Sequence, residues 1–598
     1  MDTIAEELAA YRSGARTPRE YLSRKRKTIL ERDLHNAWIT VIDDMLLESH
    51  IARLEQIDPT TLPLYGIPFA VKDNIDVAGM PTTAGCPDYR YQPEASATVV
   101  QRLIEAGAVP MGKTNLDQFA TGLVGARSPY GPCRNAFDPE RVSGGSSSGS
   151  AVAVALGQVS FSLGTDTAGS GRVPAAFNNL VGLKPSRGLI STRGVVPACR
   201  SLDCVSIFGL CADDVQRVFA VAQAFDPLDA QSRPPQSPLP LQADLPIDDF
   251  SFGVPTEAGL QNIEAPFDRA TFDAAVAGLE ALGGKAEFIN FAPFFETARL
   301  LYEGPWVAER YSAIRDFIES QPEALLPITR QIIAEGKIPL ACDLFAAEHR
   351  LAELRRRTDA VWSELDCIVT PTAPTLPTLA AVEADPIGIN SQLGLYTNFM
   401  NLLDLSAVAT PVGFAPNGLP FGVTLFAPTF LDQPLLRLAG RLQQHLALPL
   451  GTSERSVPIQ ESSHLEDNAH RLPLAVCGAH MTGLPLNHEL IERGGRLLTK
   501  TCTAASYRLY ALPGGPPQRP GLVRVNEGGT AIELEIWSLP RSIFGEFLST
   551  IPAPLGLGRV HLADGTSVTG FLCEGCALTG DAEDVSHMRS WRRYLNSL

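Results

Sequence analysis

Positive charge is in short supply. Against 66 Asp and Glu the 598 residues carry 49 Lys and Arg, a formal net charge of −17 at pH 7, and the basic residues are scattered rather than clustered. Such a chain offers no grip on a phosphate backbone, so nucleic acid is not an expected partner. Uninterrupted apolar runs of membrane-spanning length are absent too, and the opening MDTIAEELAAYRSGARTPRE reads as a polar amphipathic helix without an apolar signal core. The eleven Cys are odd in number and follow no framework spacing. A soluble chain in a reducing, cytoplasmic setting is the expectation. The one Cys-x-x-Cys, Cys573 to Cys576, has no second pair to complete a zinc site, so no metal is expected.

What is present is a chain too long for one core, with 45% hydrophobic residues. Residues 1 to about 60 read as helical, with Leu8, Tyr11 and the stretch Val41 to Leu54 at helical spacing. From Leu64 to about Leu210 the chain is dense in Gly, Ser, Thr and Ala, with strand-like runs at Ile67 to Val71 and Ala151 to Leu156. Pro234 to Asp249 reads as a loop. Residues 252 to 290 predict strand, helix and strand, followed by long helices at 295 to 320 and 341 to 365. A buried strand in DCIVTPTAP (366 to 374) comes next, then two strands around Pro416-Asn417-Gly418. This first domain is expected to span 1–455. Residues 456–471, polar and apolar-poor, read as a linker, and 472–598 as a small β-rich domain built from YRLYAL, GLVRV, AIELEIW, GRVHLADG and VTGFLC.

Two segments carry the chemistry: Ser143-Gly-Gly-Ser-Ser-Ser-Gly-Ser150 and Gly164-Thr-Asp-Thr-Ala-Gly-Ser-Gly-Arg172. A serine between glycines can sit at a tight turn whose backbone N–H groups converge on one point, as an oxyanion hole requires. A flexible loop is the plainer alternative, against which stand the apolar runs on either side. A Walker loop needs Lys before the last Ser, and Gly149 is there instead. Gly145-Ser-Ser-Ser-Gly149 fits the nucleophile-elbow pattern around Ser147, but needs a late His, and His445 lies on a helix-like segment that reads as surface. Without His, a serine can be served by a lysine kept neutral by burial. Lys72, at the end of Ile67-Pro-Phe-Ala-Val71, is the candidate.

The stretches YGIPFAVKDNIDVAGMPTTAG (65 to 85), GKTNLDQFATG (112 to 122), SGGSSSGSAVAVA (143 to 155) and GTDTAGSGRVPAAFNNLVGLKPSRG (164 to 188) together resemble the amidase-signature family. The resemblance implies an α/β fold with a large mixed β-sheet covered by helices. It also implies Ser170 as nucleophile, Ser146 after a cis peptide bond as proton relay, and Lys72 as base. The N–H groups of Thr167, Ala168, Gly169 and Ser170 would form the oxyanion hole and Gly122 would contact substrate, with Ser147 and Ser148 in support. No cofactor is implied.

The opening of the second domain, AVCGAHMTGLPLNHELIERGG (475 to 495), with YRLYALPGG, resembles the C-terminal domain of the allophanate hydrolase family, and LLYEGPWVAERY (300 to 311) resembles the segment by which those enzymes hold a substrate carboxylate. By spacing alone Arg310 reads as a surface charge and Tyr302 as a core ring. The resemblance makes them carboxylate ligands. It implies that the amidase step frees ammonia from allophanate and leaves N-carboxycarbamate, which the second domain decarboxylates, with His480 as acid or base. That domain also resembles γ-glutamylcyclotransferase-like α+β folds. It departs from them where LSTIPAPLGLG stands in place of an expected Glu, and a non-catalytic module is the alternative. A homodimer is implied, and any urea carboxylase or ring-opening amidohydrolase supplying the substrate is expected to be a separate chain. The competing reading is another amidase, or an A-type component of an amidotransferase.

Overall fold

The computed structural model describes residues 1–31, 33–234, 249–265, 267, 269–457, 471–578 and 582–598. The chain divides into two compact units, Met1–Ile459 and Gln460–Leu598. Most of the loop expected at 234–249 and most of the linker expected at 456–471 lie outside the described residues.

The first unit is built on one mixed sheet of eleven strands. In chain order these are β1 (Trp38–Val41), β2 (Pro68–Lys72), β3 (Val109–Thr114), β4 (Phe161–Asp166), β5 (Val181–Lys184), β6 (Cys204–Gly209), β7 (Phe250–Pro255), β8 (Gly284–Ile289), β9 (Cys367–Pro371), β10 (Ser406–Phe414) and β11 (Pro420–Ala427). Across the sheet they run β1-β3-β2-β4-β6-β5-β10-β11-β9-β7-β8. β3, β2 and β4 are parallel neighbours, flanked by antiparallel partners. Every residue of these three strands is buried, which is why they read as unbroken apolar or small-residue runs rather than alternating ones. Their carboxyl ends, at Thr114, Lys72 and Asp166, share one edge of the sheet. In open α/β sheets the loops leaving such an edge form the usual crevice for a ligand.

Three local expectations need correction. Ala151 to Leu156 is not a strand but the end of the helix Ser148–Ala155, all eight of whose residues are buried, with Leu156 as its cap. A helix enclosed on every side has no amphipathic period and is indistinguishable from a strand by pattern. Its small residues permit that enclosure: a side chain on Gly149 would run into the Ala37 carbonyl and the Asn115 amide. Second, the amino-terminal stretch is not wholly helical, because Trp38–Val41 pairs with β3 at the sheet edge before the helix Asp44–Leu54, capped by the Asp43 side chain on the Leu46 amide. Third, 295 to 320 is not one helix. Pro305, which lacks an N–H, and Gly304 separate Ala292–Glu303 from Trp306–Ala313, and a further break at Ile314 precedes Arg315–Ser320.

The second unit has a five-stranded sheet in the order Arg496–Cys502, Glu533–Pro540, Arg471–Val476, Ser567–Cys573, Leu555–His561, and a three-stranded one of Arg519–Arg524, Tyr507–Leu512 and Glu583–Asp584. Tyr507, Leu534, Phe547 and Trp591 lie in its core. The strand Arg496–Cys502 escapes the sequence reading because it is an edge strand with most of its side chains in solvent.

Candidate active site

Lys72 closes β2 with its side chain fully enclosed. Its Nζ donates to Ser146 Oγ at 2.8 Å and to Thr165 Oγ1 at 2.7 Å. Burial pulls the ammonium down from the ordinary 10.5 to about 7, against the opposing pull of the Asp117, Asp203 and Asp166 carboxylates and with a small push from Arg310. A group so poised is neutral often enough near pH 7 to accept a proton.

Ser146 stands just before the buried helix, and the Gly145–Ser146 peptide is cis. Asp117 ties it to a neighbouring segment: the Asp117 amide donates to the Ser146 carbonyl at 3.1 Å, while the Asp117 carboxylate accepts from the backbone amides of Val124 at 3.2 Å, Gly125 at 2.9 Å and Arg127 at 2.9 Å. Gly145 has to be glycine: a Cβ there would run into the Asp117 carboxylate and lie 2.5 Å from the Gly125 amide. The other serines are spent elsewhere. Ser147 Oγ bridges the Thr165 carbonyl and amide at 3.1 and 3.2 Å, and Ser148 Oγ donates to the Asn115 carbonyl at 3.2 Å. His445 is exposed on Asp432–Leu446, and so is His349 on Ala341–Asp359, a position the sequence reading passed over.

Thr167 to Gly171 form the turn between β4 and the helix Arg172–Phe177. Ser170 is buried, and its Oγ donates to the Gly122 carbonyl at 3.5 Å. Among the described residues the backbone N–H groups of Ala168, Gly169 and Ser170 meet no protein acceptor, so they are free to converge on a ligand. Gly169 takes φ +144°, and a side chain on it would collide with Thr397.

Arg310, on Trp306–Ala313, is also buried. Its guanidinium makes only long contacts: the Ala120 carbonyl and Thr121 Oγ1 at 3.4 Å, and the Tyr302 hydroxyl at 3.5 Å. Its carbon lies 5.5 Å from the centre of the Tyr302 ring. The helix break at Gly304-Pro305 lets the two residues meet. Among the described residues no carboxylate lies within ion-pair distance of Arg310, an unusual state for a buried cation.

The family model described as Amidase matches residues 22–436. The chain belongs to the amidase family. A second model, Allophanate hydrolase C-terminal domain, matches residues 472–596. The chain is 45% identical to urea amidolyase of Saccharomyces cerevisiae over 94% of its own length, but spans only 31% of that relative. It is 37% identical to the A-type component of the glutamyl-tRNA(Gln) amidotransferase of Symbiobacterium thermophilum, matching 70% of this chain and 92% of that one. The solved structure of Kluyveromyces lactis allophanate hydrolase superimposes with a TM-score of 0.82 at 40% identity, covering 100% of this chain and 99% of that one.

This amidase also uses residues the sequence did not reveal. Arg172 lies across Asp166 in a fully buried two-pronged pair, at 2.9 Å from Nε and 2.8 Å from one terminal nitrogen. The same carboxylate accepts from the Gly171 amide at 3.1 Å, and Asn401 Nδ2 donates to the Asp166 carbonyl at 2.8 Å. Asp203 accepts from Thr167 Oγ1 at 2.5 Å and from the Ala198 and Cys199 amides. These groups fix both ends of the turn bearing Ser170. Asn401 is 229 positions from its partner Arg172 and emerges only from the fold, whereas Asp166 and Arg172 stand six positions apart in one glycine-rich segment.

In the second unit His480 lies on the loop after Arg471–Val476, with its ring stacked at 5.2 Å on Phe571 and edge-on to Phe547 at 5.4 Å. Nε2 is 3.5 Å from Glu489 Oε2. Burial lowers its pKa from the ordinary value, and Glu489 opposes that shift. Among the described residues no cluster of His, Cys, Asp and Glu could hold a metal, and no helix is long and apolar enough to cross a membrane.

Proposed function

We propose that this chain hydrolyses the terminal amide of allophanate through Ser170, Ser146 and Lys72. Neutral Lys72 takes the Ser146 hydroxyl proton across the 2.8 Å contact as Ser146 takes that of Ser170. Ser170 Oγ then attacks the amide carbonyl. The oxyanion that forms is met by the N–H groups of the turn Thr167 to Ser170, each such donor contributing up to about 3 to 4 kcal/mol. The proton returns through Ser146 to the departing ammonia, and water, activated by the same relay, releases N-carboxycarbamate.

The observation that carries the substrate reading is Arg310, a buried guanidinium with a Tyr302 hydroxyl beside it and no carboxylate of the protein's own. A substrate with a carboxylate at one end and an amide at the other completes it. The name of the Kluyveromyces relative supports the same substrate. In this reading 1–455 is the amidase domain, 456–471 a linker and 472–598 a domain that decarboxylates the product with His480. A cytoplasmic location, a homodimer and a separate enzyme that makes allophanate belong to the same proposal.

The second reading, a different amidase or an A-type component of an amidotransferase with a non-catalytic carboxyl-terminal module, is favoured by the 37% identity to such a component. Ammonia release from allophanate, acetamide, benzamide and malonamide separates the two. A strong preference for allophanate is expected, and equal rates on the neutral amides would rule the first reading out.

A further inference from the structure

The second unit has a partly open pocket of about 270 Å³ beside His480, lined also by Glu489, Arg519, Ile551, Leu555 and Phe571. Its walls are mostly apolar. Arg519 opens the strand Arg519–Arg524 and is half-buried. Three other arginines of this unit face carboxylates: Arg592 meets Glu535 at 2.9 Å, Arg508 meets Asp584 at 3.7 Å and Arg493 meets Glu546 at 3.9 Å. Among the described residues the Arg519 side chain has no ion pair and no hydrogen-bond partner.

The loop carrying His480 is fixed from several sides. Asn487 Nδ2 donates to the His480 carbonyl at 2.9 Å, and the buried Glu535 carboxylate accepts from the Thr482 amide at 2.7 Å and from Thr482 Oγ1 at 2.9 Å. The imidazole is therefore oriented before any ligand arrives, as a proton donor or acceptor must be.

We propose that Arg519 holds one carboxylate of a small dicarboxylate in this pocket, while Ile551, Leu555 and Phe571 surround the other, which leaves as carbon dioxide. The inference rests on the allophanate reading, in which the dicarboxylate is N-carboxycarbamate. The bond between nitrogen and the departing carbon breaks, its electron pair stays on nitrogen, and nitrogen takes a proton through the His480 imidazole. Carbon dioxide and carbamate result, and His480 is reprotonated from water.

The assignment of the two ends follows from charge flow. A guanidinium on the departing carboxylate would hold back the negative charge that has to move to nitrogen. On the carboxylate that stays, the same cation binds without opposing the reaction. Apolar walls disfavour a carboxylate far more than neutral carbon dioxide, so they assist at the other end.

Carbon-13-labelled allophanate, supplied to the full chain and followed by nuclear magnetic resonance, tests this. In Arg519→Met the dicarboxylate should accumulate at least tenfold above the unaltered chain, and Arg519→Lys should fall between. Accumulation at the unaltered level in Arg519→Met, while allophanate is consumed, overturns this inference alone. No consumption by the unaltered chain overturns the substrate reading on which it rests. If Arg519→Met does not fold, Arg519→Gln carries the same comparison with the same two outcomes.

Discussion

Lys72 Nζ lies 2.8 Å from Ser146 Oγ with no part of the lysine side chain open to solvent. A cation in that position is costly, and the cost falls when the proton leaves. If Lys72 is the base, kcat/KM rises with pH through about 7 with the slope of one ionisation and levels off above. A profile flat from pH 6 to 8.5 would remove Lys72 from that role.

The same depressed value has a consequence for stability. Between about 7 and the unfolded value of 10.5 the unfolded chain binds more protons at this residue, so its contribution to stability rises with pH there. Lys72→Met abolishes activity and, at pH 7, removes a penalty on the order of 4 kcal/mol. Part of that gain is offset by leaving Ser146 and Thr165 without their donor. The variant should melt higher than the unaltered protein at pH 7, with the gap narrowing towards pH 10. Calorimetry at the two pH values checks it.

The serines should separate by function. Ser170→Ala is expected to lose at least about 10⁴-fold in kcat and Ser146→Ala about 10² to 10⁴-fold, as for a nucleophile and its relay. Ser147→Ala removes a bridge between the Thr165 carbonyl and amide and should cost about 1 kcal/mol of stability with its chemistry retained. A dead Ser147→Ala beside an active Ser170→Ala would restore the elbow mechanism.

Arg172→Met leaves Asp166 buried and unpaired, which costs about 3 to 5 kcal/mol. Because the pair anchors the turn carrying Ser170, kcat should fall along with the melting temperature. The double variant Asp166→Leu, Arg172→Met should recover stability more than activity, and equal recovery of both would show that the pair does not position the turn.

How much of this was legible from sequence depended on range. Burial of Lys72 could be argued from the apolar run before it, and the helix Arg269–Ala281 between β7 and β8, like β9 to β11, was visible in local periodicity and turn residues. The two serine clusters were visible as glycine-flanked turns. Which serine does what was not, because Ser146 and Ser170 differ only in what surrounds them, and that was supplied by the resemblance. Asn401 left no local mark, because its partners are fixed only when β4 and the helices close on one another. Asp117, Asp166 and Arg172 each find a partner within ten residues, but nothing in composition says that these charges are buried and paired. The meeting of Tyr302 and Arg310 depends on the break at Gly304-Pro305, which a reading of one continuous helix erased.

The most direct measurement compares allophanate with biuret, in which an amide replaces the carboxylate, on the unaltered chain and on Arg310→Met. A buried, charge-assisted contact to a carboxylate contributes about 2 to 3 kcal/mol. The ratio of kcat/KM for allophanate over biuret should therefore be large in the unaltered chain and fall about 30- to 150-fold in Arg310→Met, chiefly through KM. A ratio near one in the unaltered chain, or the same ratio in both proteins, would contradict the assignment of this site to allophanate.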